Sequence, residues 1–452
     1  MRTWLQSRWD DLRGTFWFVP LLMVAGAAVL SFLTLAADGA AAERGVAITL
    51  PWTFSRGPEG ARSLLAAVAG SMLTIASVCF SITVLALQQA STQFGPRLLH
   101  NFMRDRGNQL VLGTLIAAFT YCLLVLRSVN GTDDDRFVPH LSVTVGLLSG
   151  LAGVGVLIYF LHHAAASLQA ENVIAAVGRE LDAAIDRLYP SRVGAGPAAA
   201  GDVAPPPEGG AEVTAGASDY LQAVDADTLM RQATEHDLLL TLAYRPGQFV
   251  ARGSPLLRAW PGERVTDEVA AALRGAFVLG PRRTLLQDVE FAVDQLVEIA
   301  LRALSPGIND PFTAVACVDR LGAALAEFAG REFPSPRRCD EHRRLRVIAP
   351  TITADGIADA AFHQIRQAAR GNATVTLRLL ETIAALAPRA RGSAFRPALL
   401  RHAQLVHQEC RGHLTAADHA AVTGRYEAVL AAFGETTAGE GDRPRLEPGG
   451  PS

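Results

Sequence analysis

Two short clusters of nitrogen and sulfur ligands stand in the carboxyl-terminal half of the chain. One is His407, Cys410 and His413, at i, i+3 and i+6; the other is Cys339 with His342. Zinc accepts these ligand types in closed tetrahedral sites. Against a site, the three positions sweep about 120° of a helix face, Gly412 stops a helix before His413, and nothing requires the two clusters to meet. No metal is assigned. The densest turn is Ser305-Pro306-Gly307-Ile308-Asn309-Asp310-Pro311. Ser305 has no His in a recognisable nucleophile arrangement, so a hydrolase is not supported. Pro306 and Gly307 stop one helix, Asp310 is placed to N-cap the next, and Pro311 suits its first position. Ser305, Gly307, Asn309 and Asp310 therefore read as a helix-to-helix corner. Its backbone N–H groups could hold an anion or a partner's carboxylate, although Asp310 itself would occupy those donors.

All 41 basic residues are arginine and lysine is absent. There is then no P-loop lysine, no Schiff base to pyridoxal phosphate, no kinase-type lysine and no lipoyl or biotin attachment. No cofactor is expected, and the chain is read as a non-enzyme. The net charge of -3 points to no partner. Arg337-Arg338 and Arg343-Arg344-Arg346 lack aromatic interleaving, so they read as a solvated or headgroup-facing surface and not as a nucleic-acid site.

The elements that must position these residues begin with four apolar stretches, uncharged over 15–37, 63–96, 107–126 and 137–170. Roughly 20 apolar residues cross a ~30 Å hydrocarbon core, so each can span a bilayer, at about 16–37, 63–88, 108–127 and 138–161. On the second span, Thr74, Ser77, Ser81, Gln88 and Thr92 fall within about 60° at 100° per residue, a narrow polar stripe. One reading is a path lined by hydroxyls and amides and assembled from several subunits. The other is packing glue, the common use of small polar residues in membranes. No intramembrane Asp, Glu or Arg marks an ion route. On the fourth span, Gly146 and Gly150 form a G-x-x-x-G that lets backbones approach, within or between subunits. His162 and His163, where this helix leaves the membrane, read as an interfacial solvated pair.

Short flanking segments set the topology. Arg2, Arg8 and Arg13, then Arg97, Arg104 and Arg106, then Arg179 and Arg187 mark cytoplasmic regions, while Asp133, Asp134 and Asp135 mark an external turn. Trp52 reads as an interfacial anchor. Both termini are then cytoplasmic. A helical pattern continues from the fourth span to Leu188 as a membrane-exit helix, 171–190. The Gly-, Ala- and Pro-rich stretch 191–217 reads as a flexible loop and 434–452 as a disordered tail. Between them, 218–433 forms an α+β, mostly helical domain. Strand-like Tyr220 to Val224 and Leu238 to Tyr244 flank a helix Ala226 to Glu235 capped by Asp225. Gln248 to Trp260 reads as a β-hairpin, and helices follow at 285–304, 311–329, 357–370, 375–387, 396–410 and 416–433. The five cysteines, none in an expected external loop, suggest no disulfide framework.

Two phrases carry a family resemblance: Ser-Ile-Thr-Val-Leu-Ala-Leu-Gln-Gln-Ala-Ser-Thr-Gln-Phe-Gly-Pro-Arg-Leu-Leu from Ser81 to Leu99, and Ala-Leu-Ser-Pro-Gly-Ile-Asn-Asp-Pro-Phe-Thr-Ala from Ala303 to Ala314. With four spans, the chain resembles the bacterial predicted-membrane-protein family labelled domain of unknown function 2254. The resemblance implies an architecture and brings no established activity. The expectation is an α-helical polytopic membrane protein of four transmembrane helices with a C-terminal α+β cytoplasmic domain, placed in the bacterial inner membrane. Its expected role is a homo-oligomeric channel-like or transport function for an ion or small solute. The alternative is a membrane-anchored sensory or scaffolding protein whose cytoplasmic domain binds a protein partner.

Overall fold

The computed structural model describes residues 15, 17–44, 57–95, 105–129, 137–167, 169–189 and 209–435. Arg2, Arg8, Arg13, Trp52, Arg97, Arg104, Asp133, Asp134, Asp135, the tail beyond 435 and most of the expected flexible loop lie outside these residues. The chain divides into two compact units, Met1–Val173 and Ile174–Ser452.

Among the described residues, the first unit holds four helices long and apolar enough to cross a membrane: α1 Phe18–Glu43, α2 Pro58–Phe94, α3 Arg106–Leu126 and α4 His140–Ser167. Their cores interlock through Leu65, Ala69, Tyr121 and Val143 at one level and Met72, Cys79, Leu115 and Phe160 at another. Large apolar side chains point outward, among them Leu22, Phe32, Leu33, Leu151 and Ile158, each at least 60% exposed. On a soluble protein such a surface would be an association site; on helices of this length it suits lipid. The helices outrun the apolar windows because polar residues continue the turns. α1 runs past the uncharged stretch, so Asp38 lies inside it.

The continuous exit helix is not formed. α4 ends at Ser167 and a separate helix, α5, runs Ala170–Leu188. The break is capped locally: Ser167 Oγ donates to the His163 carbonyl at 2.8 Å and Asn172 Nδ2 to the Ala166 carbonyl at 2.7 Å. Side chains thus satisfy helix-end carbonyls that the apolar periodicity does not register.

The second unit is α+β and mostly helical. Its strands are β1 Ala211–Thr214, β2 Asp219–Val224, β3 Leu239–Leu242, β4 Phe249–Val250, β5 Pro255–Trp260, β6 Phe277–Gly280, β7 Arg337–Cys339 and β8 Leu345–Ile348. A five-stranded sheet has the order β1-β5-β3-β8-β7, and a three-stranded sheet β4-β2-β6. Among the described residues, β3 with β8 is the one parallel pair and the other pairs are antiparallel. Helices α6 Ala226–Glu235 and α7 Asp267–Gly275 accompany the sheets, capped by the side chains of Asp225 and Thr266. Six further helices follow: α8 Glu290–Ala303, α9 Pro311–Phe328, α10 Ala354–Ala369, α11 Ala373–Ala390, α12 Phe395–Glu409 and α13 Ala416–Phe433. Their core is built on buried Phe328, Phe362, Phe395 and Phe433.

Three sequence expectations need correction here. Residues 211–214 are not loop but β1, whose register sets Val213 opposite Leu257. The strand is too short to show a period, and its partner is more than 40 residues away. Gln248 to Trp260 is not a hairpin: β4 pairs with β2, whereas β5 pairs with β1 and β3, so the turn between them crosses from one sheet to the other. The helix expected from Leu285 begins at Glu290, because Asp288 turns back to accept from the Phe291 backbone N–H.

Candidate functional site

The polar stripe lies on the outer face of α2. Thr74, Ser77, Ser81, Gln88 and Thr92 are all exposed, as is Ser71 beside them, while Thr83 on the opposite side is buried. Each hydroxyl donates to its own helix. Thr74 Oγ1 reaches the Gly70 carbonyl, Ser77 Oγ that of Leu73 and Ser81 Oγ that of Ser77, all at 2.9 Å, and Thr92 Oγ1 that of Gln89 at 2.8 Å. This back-bonding spends the proton, so the stripe presents oxygen lone pairs outward and tolerates an apolar neighbourhood. Exposed Val78, Val84 and Leu85 flank it.

Gly146 and Gly150 are buried on α4 and face α2 of the same chain. A Cβ on Gly146 would meet Leu65 Cδ2 at 2.7 Å, and one on Gly150 would meet Val68 Cγ1 at 2.9 Å. Gly153 continues the seam, with Met72 Sδ 2.3 Å from its Cβ position. These are closer than side chains pack, so the helices approach at this distance because the glycines lack side chains.

His163 is not a solvated partner of His162. Its Nε2 lies 2.6 Å from Asp105 Oδ2 and its ring stacks on Tyr159 at 5.3 Å. Asp105 also N-caps α3, accepting from Gly107 N–H at 2.8 Å. A Cβ at Gly107 would sit 2.5 Å from His163 Nε2, so only glycine leaves room for the pair. Asp38 was also missed. From α1 its carboxylate accepts the Leu141 and Ser142 backbone N–H groups at 3.0 and 2.9 Å and the Ser142 hydroxyl at 2.7 Å. It thereby caps α4 in place of a local residue. The available signal was negative: Pro139 precedes α4 where a capping side chain is wanted.

In the second unit, the Ser305 corner is filled by its own groups. Asp310 Oδ1 accepts from the Phe312 and Thr313 N–H groups at 3.1 Å each, Ser305 Oγ donates to the Arg302 carbonyl, and Asn309 takes a positive φ of 49°. Gly307 has open space around its Cβ position. The helix N-terminus is thus occupied by Asp310. His407 Nε2 is 3.1 Å from Thr423 Oγ1 and its ring stacks on Tyr426, while the Cys410 thiol points to the His407 carbonyl. Among the described residues, no three His, Cys, Asp or Glu side chains group as metal ligands. The arginine cluster is not all solvated surface. Arg346 is buried, its Nε 2.8 Å from Asp340 and its Nη1 2.7 Å from Asp237.

Sequence reasoning gave no hint of a cavity of about 460 Å³ in the second unit. It opens beyond the carboxyl ends of the parallel strands β3 and β8, between Tyr244-Arg245-Pro246 and Ala349-Pro350-Thr351. That is where ligands collect in sheets with parallel strands. Leu229 and Met230 of α6 wall one side. Two of its lining residues, Arg245 and Asp288, belong to an ion network. Asp288, with a side chain 1% exposed, accepts from Arg283 Nε at 2.7 Å; Arg283 Nη1 also reaches Asp294, and Arg245 pairs with Glu290 at 2.6 Å. Gly247 passes over this carboxylate with φ 94°, and a Cβ there would fall 2.2 Å from Asp288 Oδ2. Tyr189 closes the far side against Phe328 and Phe333. Burial, with Glu290 nearby, pushes its phenol up to about 12.

The family model described as Predicted membrane protein (DUF2254) matches residues 13–385. The chain belongs to this family. An uncharacterized protein of Mycobacterium bovis is 33% identical over 388 residues, covering 84% of this chain and 73% of the relative. Counterparts from two strains of Mycobacterium tuberculosis match to the same extent. No solved structure matches. The family thus establishes a membrane protein with four apolar helices and leaves its activity to be read from the molecule.

Proposed function

We propose that this protein is a non-enzymatic, homo-oligomeric membrane protein of the bacterial inner membrane with a channel-like or transport role. In this reading an ion or small solute moves between copies of the chain along the outer face of α2. Both termini are cytoplasmic, as the flanking arginines suggest, and the second unit governs assembly or gating. The observation that carries the reading is the contrast between the two faces of α2. Its inner face is filled by Leu65, Ala69, Met72 and Cys79 at 6% exposure or less, while the hydroxyl and amide stripe faces outward. A path through the interior of one bundle is therefore closed, and the polar groups become useful when a second copy covers them.

Disulfide trapping tests this proposal. In a Cys79→Ser, Cys122→Ser background, Ser81→Cys should form a covalent dimer in native membranes and Leu151→Cys on α4 should not. Equal trapping at both positions would mean that the contacts are random collisions.

A second reading has its own support. The hydroxyl protons are already used within α2, and the second unit holds a sizeable cavity; in this reading the spans serve as anchors for a sensory domain. Failure of Ser81→Cys to trap, with the cavity still ligand-competent, would favour it.

A further inference from the structure

The cavity of the second unit has on its wall one guanidinium, that of Arg338, which this ion network does not engage. Of the cationic groups on its wall, Arg245 is held by Glu290. Arg338 sits on the edge strand β7, where its backbone pairs with Val347; its guanidinium forms no hydrogen bond or ion pair among the described residues, and the residue is half-buried. Burial lowers the affinity of its guanidinium for a proton without a neighbouring carboxylate to restore it. Two acidic residues also reach the cavity. Asp288 is paired with Arg283, a cation it shares with Asp294, and Asp227 is exposed at the rim. Three hydroxyls in the lining, those of Tyr189, Tyr244 and Thr351, likewise form no hydrogen bond among the described residues. Most of the remaining wall is aliphatic, including Met230, Leu242 and Val347.

An unpaired, partly desolvated arginine is unfavourable unless an anion completes it, and a guanidinium fork matches a carboxylate in two parallel hydrogen bonds. A cavity of about 460 Å³ is the size of a small-molecule site. We infer that this cavity binds a small organic monoanion, a carboxylate on an apolar or aromatic body. Arg338 clamps the carboxylate, one or more of the three hydroxyls donate to it, and Met230 with Leu242 encloses the body. The placement beyond the ends of β3 and β8 puts the ligand against the loops that follow these two interior strands. The inference is independent of whether copies of the chain form a path.

The test uses the full chain in lipid nanodiscs. The probes are matched naphthyl and biphenyl carboxylates, their primary amides and their amines, titrated by calorimetry. Carboxylates should bind, and amides and amines of the same body should bind at least about tenfold more weakly, the value of one charge-assisted contact. Arg338→Gln should weaken the carboxylates by at least about tenfold and leave the amides unchanged. Met230→Trp, which fills the cavity without touching the charge, should abolish binding while Arg338 remains. The inference is overturned if carboxylates and amides bind alike, if Arg338→Gln leaves carboxylate affinity unchanged, or if no carboxylate in the series binds wild type more tightly than Met230→Trp.

Discussion

At the residue scale, the second unit concentrates its electrostatic stakes on Asp288. Its carboxylate is buried, and two nitrogens of Arg283 and one backbone N–H satisfy it. Removing the cation leaves a buried unpaired charge, so Arg283→Ala should destabilise the second unit by about 3–5 kcal/mol, read from chemical denaturation. Gly247→Ala should also be costly, about 2 kcal/mol or more, because it meets both a positive φ and the Asp288 carboxylate. Tyr189 offers a pH readout with a definite sign. Its phenol ionises at about 12 in the folded chain against an ordinary 10.0, so folding favours the protonated form. That contribution is fully present below pH 10 and is lost as pH rises toward 12. Unfolding midpoints should therefore fall across that window by an amount worth up to about 2–3 kcal/mol, and Tyr189→Phe should flatten the dependence. An equal slope in wild type and Tyr189→Phe would assign the loss to other groups.

At the element scale, the seam between α2 and α4 is set by volume. Gly150→Leu must push Val68 aside in a packed bundle, and overpacking of this kind costs about 1–3 kcal/mol. A clear drop in thermal stability of the detergent-solubilised protein is expected, with Gly155→Leu, which has open space at its Cβ position, as the neutral control. The four helices were legible because long uncharged runs admit few alternatives, and α6 and α9 were legible because Asp225 and Asp310 announce their starts. What stayed hidden depends on distant partners. β1 has one inward residue and borrows its identity from β5, β4 and β5 look like one hairpin but serve two sheets, and α4 takes its cap from α1. The site residues divide in the same way. Helical angles alone gave the α2 stripe, whereas the Arg338 cavity draws on segments 188–189, 224–246, 287–288 and 334–352, whose meeting no local pattern records.

At the scale of the whole molecule, the account turns on whether the outer face of α2 meets water. Single cysteines at Ser77, Ser81 and Gln88, in a Cys79→Ser, Cys122→Ser background, would be treated in native membranes with a membrane-impermeant thiol reagent. Cysteines in place of Thr83, buried in the bundle at 5% exposure, and of Leu151, outward on α4, serve as controls. Labelling at the three striped positions should stand well above both controls, because an aqueous path between copies delivers the reagent and neither the packed core nor lipid does. Labelling at Ser77, Ser81 and Gln88 no greater than at Thr83 and Leu151 would contradict it and leave the four helices as an anchor.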